Sequence, residues 1–408
     1  MSAPELYLIL ESILIMTSPY VLGFVGENAN DILLWWSHEI LKSLSRYGLG
    51  YEIVDLRKSD AFQKVNAFLQ KKPPTFCFSF QGMGMNAQNE QMNAWSSMNI
   101  PFISYLGDNP YHMHSLHAAR GKGLYLLYSC RDFLQTYTEI LQGKNVASLI
   151  RYPYPTNIHA DETPWNERPL NAVFVKTAVN TTLIEENWNK APKKISTLLY
   201  ESSKIALGGS TETITSICSS VFDTFDFHYG ENLEFFLSAC SMVDHYVRAM
   251  RAERMVRELV KHDAFIVGDW SYLDCSAAKA RFVKSLPAHQ LNALYSRSKI
   301  TISTQPCVQY GVHERIMGGL MAKSAVISDA SPFVRDTLKD FPAFFGLNID
   351  SLDFPERFSH NFKTILEDAD MPNKTSQSGI IAEQKFSIDA FIDELLEYIQ
   401  IEYVVLLW

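Results

Sequence analysis

Three side chains that bind anions and sugar hydroxyls stand in a row in the C-terminal half of the chain: His313, Glu314 and Arg315. They directly precede RIMGGLM, a stretch whose apolar residues recur at helical spacing. The first turn of a helix attracts negative charge, and an arginine adds charge-assisted hydrogen bonds to a phosphate. The row therefore predicts a site for a phosphate or for sugar hydroxyls. The alternative interpretation is a set of solvated charges at an exposed helix start.

The elements around this row form a strand-helix-strand unit. We predict a strand at 299–304 (KITIST), the helix at 315–321, and a buried strand at 325–328 (AVIS) that Asp329 ends. Units of this kind bind ligands at the carboxyl ends of their strands. The His-Glu-Arg row is expected at that edge.

A second group of chemically active side chains follows a strand predicted at 101–106. Asp108, His112, His114 and His117 lie within ten residues. A histidine or an aspartate acts as a general base when its pKa is near neutral. Histidines 112 and 114 would point to opposite sides of an extended segment, and no carboxylate or cysteine completes a ligand set, so we predict no metal. The alternative to a base is that Asp108 only caps a turn before a proline.

Strands and helices alternate through the N-terminal half. We predict strands at 12–17, 51–55, 75–80, 101–106, 124–129 and 146–150, and helices at 30–46, 61–70, 90–98 and 131–141. Short apolar runs that alternate with helices are typical of a doubly wound parallel sheet. Residues 151–168 contain three prolines and no periodicity, which indicates a linker.

The alternation restarts in the second half, which predicts a second Rossmann-like domain. Its expected elements are strands at 171–175 and 264–267, helices at 244–262 and 291–298, and the unit described above. The polar stretch 368–378 is predicted to be a loop, and 387–407 a final helix. The predicted domains are therefore 1–165, 166–378 and a terminal segment 379–408.

Composition limits the class of protein. The 408 residues are too many for one ordinary core, and a formal net charge of −9 argues against general affinity for nucleic acid or anionic membranes. Six scattered cysteines without a CxxC pattern favour reduced thiols. We see no signal peptide and no stretch long enough to span a bilayer, so we expect a cytoplasmic protein. The apolar end at 403–408 is predicted to pack on the protein or on a second subunit, as in a homo-oligomer.

The order of these motifs over about residues 171–338 resembles that of two-domain (GT-B type) glycosyltransferases, most closely the CgeB-like bacterial group. The pattern of that group, roughly R-x-F-E-A-x-A-C-G-A-x-L-L-x-D, is similar to residues 315–329. Two positions depart from it. The family's glutamate, which holds ribose hydroxyls, is Gly318, and its glycine is Lys323. Glu314, one turn earlier, is expected to substitute, or the donor is held differently.

The resemblance implies an α/β fold with two Rossmann-like, doubly wound domains that face a cleft, and a last helix that crosses back to the N-terminal domain. It also implies a nucleotide-sugar donor, such as a UDP- or GDP-sugar, and no cofactor. Lys176 and Arg315 would then stabilise the diphosphate without a metal, and Trp270 would stack on the base. The expected donor-binding residues are Lys176, Thr177, Gly268, Trp270, His313, Glu314, Arg315, Gly318 and Asp329. The alternative for Lys176 is a solvated side chain without a ligand, and the alternative for Trp270 is packing between the domains.

On the acceptor side, the resemblance suggests Asp108 or His112 as the base of an inverting transferase. Gly23 and Gly26 are expected in a loop that faces the cleft after the first strand. Gly82 and Gly84, in QGMGMN, follow the third strand, where a tight turn explains them equally well.

Two function classes remain. The first is a metal-independent glycosyltransferase of the hexosyltransferase type, with a glycan, a protein or a lipid-linked sugar as acceptor. The second is a non-catalytic scaffold or binding subunit, which the Gly318 departure favours. A dehydrogenase ranks last, because the glycine-rich motif and the acidic residue of dinucleotide-binding domains are missing.

Overall fold

The computed structural model describes residues 19–28, 31–89, 92–115, 121–143, 146–148 and 163–406. The strand predicted at 12–17, most of the predicted linker and His117 lie outside these residues. All six cysteines lie inside them as free thiols, and five are buried.

The N-terminal domain is built on a parallel six-stranded sheet with the strand order β2-β1-β3-β6-β7-β8. Its strands are β1 (Tyr20–Val25), β2 (Gly50–Asp55), β3 (Phe76–Phe80), β6 (Phe102–Leu106), β7 (Leu124–Tyr128) and β8 (Val146–Ser148), with a small antiparallel pair β4 (Gln88–Asn89) and β5 (Met92–Asn93) between β3 and β6. Its helices are α1 (Ile32–Leu44), α2 (Ala61–Lys71), α3 (Ala94–Ser97) and α4 (Arg131–Gln135), with 3-10 turns at Ser45–Tyr47 and Pro110–His112 and a π-helical turn at Thr136–Ile140.

The C-terminal domain has a second parallel six-stranded sheet, in the order β11-β10-β9-β12-β13-β14. The strands are β9 (Leu170–Val175), β10 (Phe265–Val267), β11 (Arg281–Val283), β12 (Ser298–Ser303), β13 (Ala325–Asp329) and β14 (Phe344–Leu347). The helices are α5 (Thr181–Lys190), α6 (Lys193–Leu207), α7 (Ile214–Thr224), α8 (Leu233–Leu259), α9 (Ala288–Ser296), α10 (Glu314–Met321), α11 (Pro332–Thr337), α12 (Phe354–Glu367), α13 (Met371–Phe386) and α14 (Ile388–Leu406), with 3-10 turns at Trp165–Glu167 and Tyr229–Glu231. The prediction of two Rossmann-like domains is confirmed.

Four consecutive helices, α5 to α8, lie between β9 and β10 and carry a hydrophobic core of their own. That core includes Tyr111 from the N-terminal domain, which is 3% exposed. Apolar burial of this kind is the main favourable term in packing, and it holds the turn Pro110–His112 against α8. The helical layer therefore ties the two domains together at the cleft.

The last helix, α14, crosses back to the N-terminal domain as predicted. Its Phe391 packs on Tyr105 with ring centroids 5.2 Å apart. Asp389 accepts a hydrogen bond from Ser43 and forms an ion pair with Arg46. The stretch 368–378 is not the predicted loop, because most of it forms the start of α13. A domain boundary at 378 would cut this helix, and the chain leaves the C-terminal domain between α13 and α14.

The first described strand also differs from the prediction. Gly23 lies inside β1 and not in a loop that faces the cleft. A Cβ atom on Gly23 would lie 2.4 Å from Leu41 Cδ1, so this glycine allows α1 to pack closely on the sheet. The helix predicted at 90–98 is reduced to the four residues of α3. No helix among the described residues is long and apolar enough to cross a membrane.

Candidate functional site

The strand order of the C-terminal sheet reverses between β9 and β12, and ligands of open α/β sheets bind at such a point. Lys176 follows β9 directly, and Thr304 and Gln305 follow β12. The loop from Thr304 then leads into α10. The predicted donor residues on these two loops are therefore brought to one edge of the sheet.

The row at 313–315 forms the start of α10. His313 is the N-cap residue, and its Nδ1 lies 2.8 Å from Glu314 Oε2 and 3.3 Å from the backbone nitrogen of Arg315. Burial lowers the pKa of His313 to about 4, with a further decrease from Arg315 and an opposing increase from Glu314. Burial raises the pKa of Glu314, but His313 and Arg315 outweigh it and lower the value to about 2. Glu314 is therefore an anion at neutral pH, in the first turn of the helix.

Lys176 is half-buried beside this row. Burial, together with the guanidinium groups of Arg315 and Arg248, lowers the pKa of Lys176 to about 7, although Glu314 and Asp244 oppose the shift. Three cationic side chains from three different elements thus converge on one place. Glu314 and Asp244 balance part of this positive charge, and a bound anion would stabilise the charged form of Lys176 further.

Polar atoms at the same edge have no partner within the described part of the chain. They are Arg315 Nη1, Thr304 Oγ1, Ser303 Oγ, and Nε2 and Oε1 of Gln305. Buried polar groups are normally hydrogen-bonded, and each unpaired group costs roughly 1–3 kcal/mol. A bound polar ligand would satisfy them.

The N-terminal domain contributes Asp108, which follows β6. Its Oδ2 accepts a hydrogen bond of 2.6 Å from Gln81 Nε2, from the loop after β3. Burial lowers the pKa of Arg248, but Asp244 and, more weakly, Asp108 raise it above its ordinary value. Asp108 therefore lies near the cationic group of the other domain.

His112 is held from the other side of the cleft by α8. Its Nε2 lies 2.6 Å from Asp244 Oδ2, and its Nδ1 lies 2.9 Å from Ser241 Oγ. Arg248 Nη2 lies 2.8 Å from the same carboxylate oxygen of Asp244. Asp244 is fully buried; burial raises its pKa, but Arg248 and His112 hold the value well below its ordinary range. Both ring nitrogens of His112 are therefore engaged, and the histidine joins the two domains.

Sequence reasoning missed Ser241, Asp244 and Arg248. The spacing of Asp244 and Arg248, four residues apart on a predicted helix, was a usable signal for an ion pair. Helical periodicity does not show which other element packs against the charged side of a helix. The contact between α8 and His112 could therefore not be predicted from the sequence.

Trp270 is not placed to stack on the nucleobase of a donor. It is 3% exposed and packs between Phe174 and Tyr272, with ring centroids 6.4 and 6.0 Å away. Gly268 has a φ of 144°, and a Cβ atom there would lie 2.2 Å from the carbonyl oxygen of Lys176. Gly268 therefore permits the backbone that carries Lys176 to come close.

Two more residues that were predicted to bind the donor, Thr177 and Asp329, lie in different environments. Thr177 is exposed next to Lys176. Asp329 is 6% exposed, and its Oδ1 accepts a 2.5 Å hydrogen bond from the backbone N–H of Gln305. Burial raises the pKa of Asp329 to about 6, against the opposing effect of Arg251. Asp329 therefore anchors the loop after β12.

The remaining glycines have local roles. Gly82 and Gly84 have φ values of 70° and 78° in the tight turn after β3, where other residues are strained. Gly26 follows β1 and faces the side chain of Met83. Gly318 is buried in α10, and Lys323, where the resembled pattern has glycine, has a φ of 53° after that helix.

No group of three or more histidine, cysteine or acidic side chains in the described ranges could hold a metal ion. The geometry instead offers cationic side chains and unpaired donors to an anionic ligand.

The chain matches no protein-family model and no curated protein. Solved structures are similar to it over nearly its whole length. An α-glucosyltransferase in complex with UDP and a 13-mer DNA has a TM-score of 0.56 at 9% identity, covering 94% of this chain and 100% of that one. HepE of Anabaena in complex with UDP has a TM-score of 0.50 at 10% identity, with the same coverage. Sucrose-phosphate synthase of Thermosynechococcus elongatus has a TM-score of 0.50 at 9% identity, again with that coverage. At these identities the similarity establishes the fold, which is the GT-B architecture.

Proposed function

We propose that this protein is a glycosyltransferase that moves a sugar from a nucleotide-sugar donor to an acceptor hydroxyl. The observation that supports this most is the convergence of Lys176, Arg315 and Arg248 at the point where the order of the C-terminal strands reverses. This arrangement fits a diphosphate: Arg248 is ion-paired with Asp244, and the diphosphate would bring negative charge next to Lys176 and Arg315.

The chemistry assigns a task to each side of the cleft. The acceptor oxygen forms a bond to the anomeric carbon of the donor, the bond from that carbon to the diphosphate oxygen breaks, and the acceptor proton goes to a base. Lys176 and Arg315 stabilise the charge that develops on the departing diphosphate.

Asp108 fits the role of base better than His112. Both nitrogens of His112 already have partners, Ser241 and Asp244. Among the residues that the structure describes, Gln81 contacts Oδ2 of Asp108 and no hydrogen bond to its other oxygen is seen, so that oxygen is open to a proton. We assign Asp108 as the base and His112 as the residue that positions the N-terminal loop against α8.

The finer assignments rest on the sequence. The similarity of residues 315–329 to the CgeB-like bacterial pattern supports a hexosyltransferase of that group that needs no metal. We propose a UDP- or GDP-sugar as donor, a glycan, protein or lipid-linked sugar as acceptor, a cytoplasmic location, and self-association through the apolar C-terminus at 403–408.

The test is calorimetric titration with UDP and GDP. We expect Arg315→Ala to weaken binding by about 1–3 kcal/mol, because charge-assisted hydrogen bonds are lost. Arg357→Ala, an exposed arginine of the same domain on α12, is the matched control and should bind as the wild type does. No binding of either nucleotide by the folded wild type would contradict the proposal.

The second function class, a non-catalytic subunit, is favoured by one observation, the glycine at 318. Glu314 begins α10 and lies one turn before Gly318. It could therefore accept hydrogen bonds from the ribose hydroxyls in place of the glutamate that the family has at position 318. If the protein is an enzyme, Glu314→Gln should weaken nucleotide binding at least tenfold, since a charged acceptor is lost. Nucleotide binding that is unchanged in Glu314→Gln would refute the compensation, and the absence of transfer despite binding would favour the scaffold.

A further inference from the structure

We call the loop that leads from β12 into α10, residues 304–313, the donor loop, because it ends at the N-cap residue of the helix that carries Arg315. Its Val308 is 7% exposed and belongs to the hydrophobic core of the N-terminal domain, together with Cys130 and Phe133. A loop of the C-terminal domain is therefore docked in the other domain.

Asp132, the second residue of α4, binds the donor loop through both carboxylate oxygens. Its Oδ2 accepts a 2.7 Å hydrogen bond from the backbone N–H of Gln309, and its Oδ1 accepts a 2.9 Å bond from that of Tyr310. The residue is 1% exposed. Hydrogen bonds to an ionised acceptor are roughly twice as strong as those between neutral groups. One side chain of the N-terminal domain thus fixes two consecutive peptide groups of the donor loop.

The residues on either side of Asp132 extend this contact. The backbone N–H of Arg131 lies 3.4 Å from the carbonyl oxygen of Tyr310. A Cβ atom on Gly311 would lie 2.6 Å from Cys130 Cβ, so the glycine lets the loop come close to the N-cap residue of α4. Residues 130–132 of one domain and 308–311 of the other therefore form one continuous contact.

Within its own domain the donor loop is held at two points. Asp329 accepts from the backbone N–H of Gln305, and Ser331 Oγ donates a 2.7 Å hydrogen bond to the carbonyl oxygen of Gln309. From Tyr310 the chain needs only three residues to reach His313, and each residue spans at most about 3.5 Å. A shift of the peptide groups that Asp132 holds is therefore passed on to the start of α10, where Arg315 Nη1 is buried and unpaired in the described part of the chain.

We propose that Asp132 is a positioning residue, which holds the donor loop from the N-terminal domain and thereby keeps Arg315 in place for the diphosphate. The role of Arg315 rests on the proposed function, whereas the hold of Asp132 on the loop does not. Nucleotide affinity then depends on the contact between the domains, and by linkage a bound nucleotide strengthens that contact.

The first test is hydrogen exchange of the full chain, measured by mass spectrometry on peptides that contain residues 309 and 310. Asp132→Asn keeps the size of the side chain but replaces one acceptor oxygen by an NH₂ group, which faces a backbone N–H. We expect the amides of Gln309 and Tyr310 to exchange at least about tenfold faster in this variant. Gly311→Ala disturbs the same contact from the loop side and should act in the same direction, so it serves if Asp132→Asn does not fold.

The second test is calorimetric titration with UDP, in which Asp132→Asn should weaken binding about fivefold or more. If Asp132 acts through Arg315, Asp132→Asn should cause little further loss when it is added to Arg315→Ala. A merely structural role would give the same loss in both backgrounds. The matched control is Asp389→Asn, the same change in a contact between α14 and α1 that does not involve the donor loop. It should leave both UDP affinity and the exchange of residues 309 and 310 as in the wild type.

The two tests separate this proposal from the proposed function. A wild type that does not bind UDP would contradict the proposed function, whereas faster exchange in Asp132→Asn would still support the hold on the donor loop. The proposal is overturned if exchange is unchanged in both Asp132→Asn and Gly311→Ala, or if a variant with faster exchange binds UDP as the wild type does. It is also overturned if the loss in Asp132→Asn is undiminished in the Arg315→Ala background, or if Asp389→Asn has the same effects.

Discussion

Lys176 should take up a proton when a nucleoside diphosphate binds. Its pKa of about 7 results from burial and from two neighbouring guanidinium groups. At pH 8 a lysine with this pKa is protonated in roughly one molecule in ten. A diphosphate beside it favours the charged form and returns the pKa towards its ordinary range. We therefore expect an uptake of about 0.9 proton for each UDP bound at pH 8.

The affinity should follow the same titration. Because binding requires the charged lysine, the dissociation constant of UDP should rise about tenfold for each pH unit above roughly 7.5. The terminal phosphate of UDP does not contribute, because its pKa is near 6. The pH dependence therefore reports on the protein.

Calorimetry in two buffers with different ionisation enthalpies, such as Tris and HEPES at pH 8, measures the proton uptake directly. The matched variant is Lys176→Arg, which remains charged throughout and should bind UDP with no uptake. Binding of UDP by the wild type without proton uptake would refute the reasoning. An equal uptake in Lys176→Arg would assign the proton to another group, such as His313.

Three further predictions concern the effect of substituting buried residues on the stability of the fold. Asp244→Ala leaves Arg248 unpaired and should lower the free energy of unfolding by about 3–5 kcal/mol in chemical denaturation. Asp329 has a raised pKa, so the folded state binds more protons than the unfolded state between about pH 4 and 6, and the free energy of unfolding falls as pH rises through that window. Asp329→Asn should abolish this fall, worth about 3 kcal/mol, in denaturation curves recorded from pH 4 to 7. Gly268→Ala should lower the melting temperature and cost at least about 2 kcal/mol, because its Cβ would meet a backbone oxygen, whereas Gly230→Ala meets nothing within 4 Å and should be neutral.

The positions of most elements were predictable because burial on both faces leaves short apolar runs in the sequence. Strand β2 and helix α10 begin within one residue of their predicted starts. The first strand was harder, since both 12–17 and Tyr20–Val25 are apolar runs of strand length, and the pattern does not tell which one pairs with β2 and β3. Helix α13 was missed because its first turns are polar, and its packing on α10 outweighs that composition.

In the candidate site, too, some residue positions could be predicted from the sequence and others could not. Strand ends are local features, so the sequence alone was enough to locate Lys176 and Asp108 just after their strands, and the row at 313–315 at the start of a helix. The placement of Trp270 depended on what packs around it, and a buried aromatic has the same sequence signature as an exposed one.

By itself, the sequence determined the two alternating domains and the residues at the carboxyl ends of the strands. These follow from hydrophobic periodicity and chain order, which are properties of neighbouring residues. The tertiary structure alone decided that Asp244 and Arg248 of α8 meet His112, and that Arg315 and Arg248 together lower the pKa of Lys176. The physical reason is that burial and Coulomb interactions depend on distance in space and not on position in the chain. His112 and Arg248, for example, are 136 residues apart in the sequence.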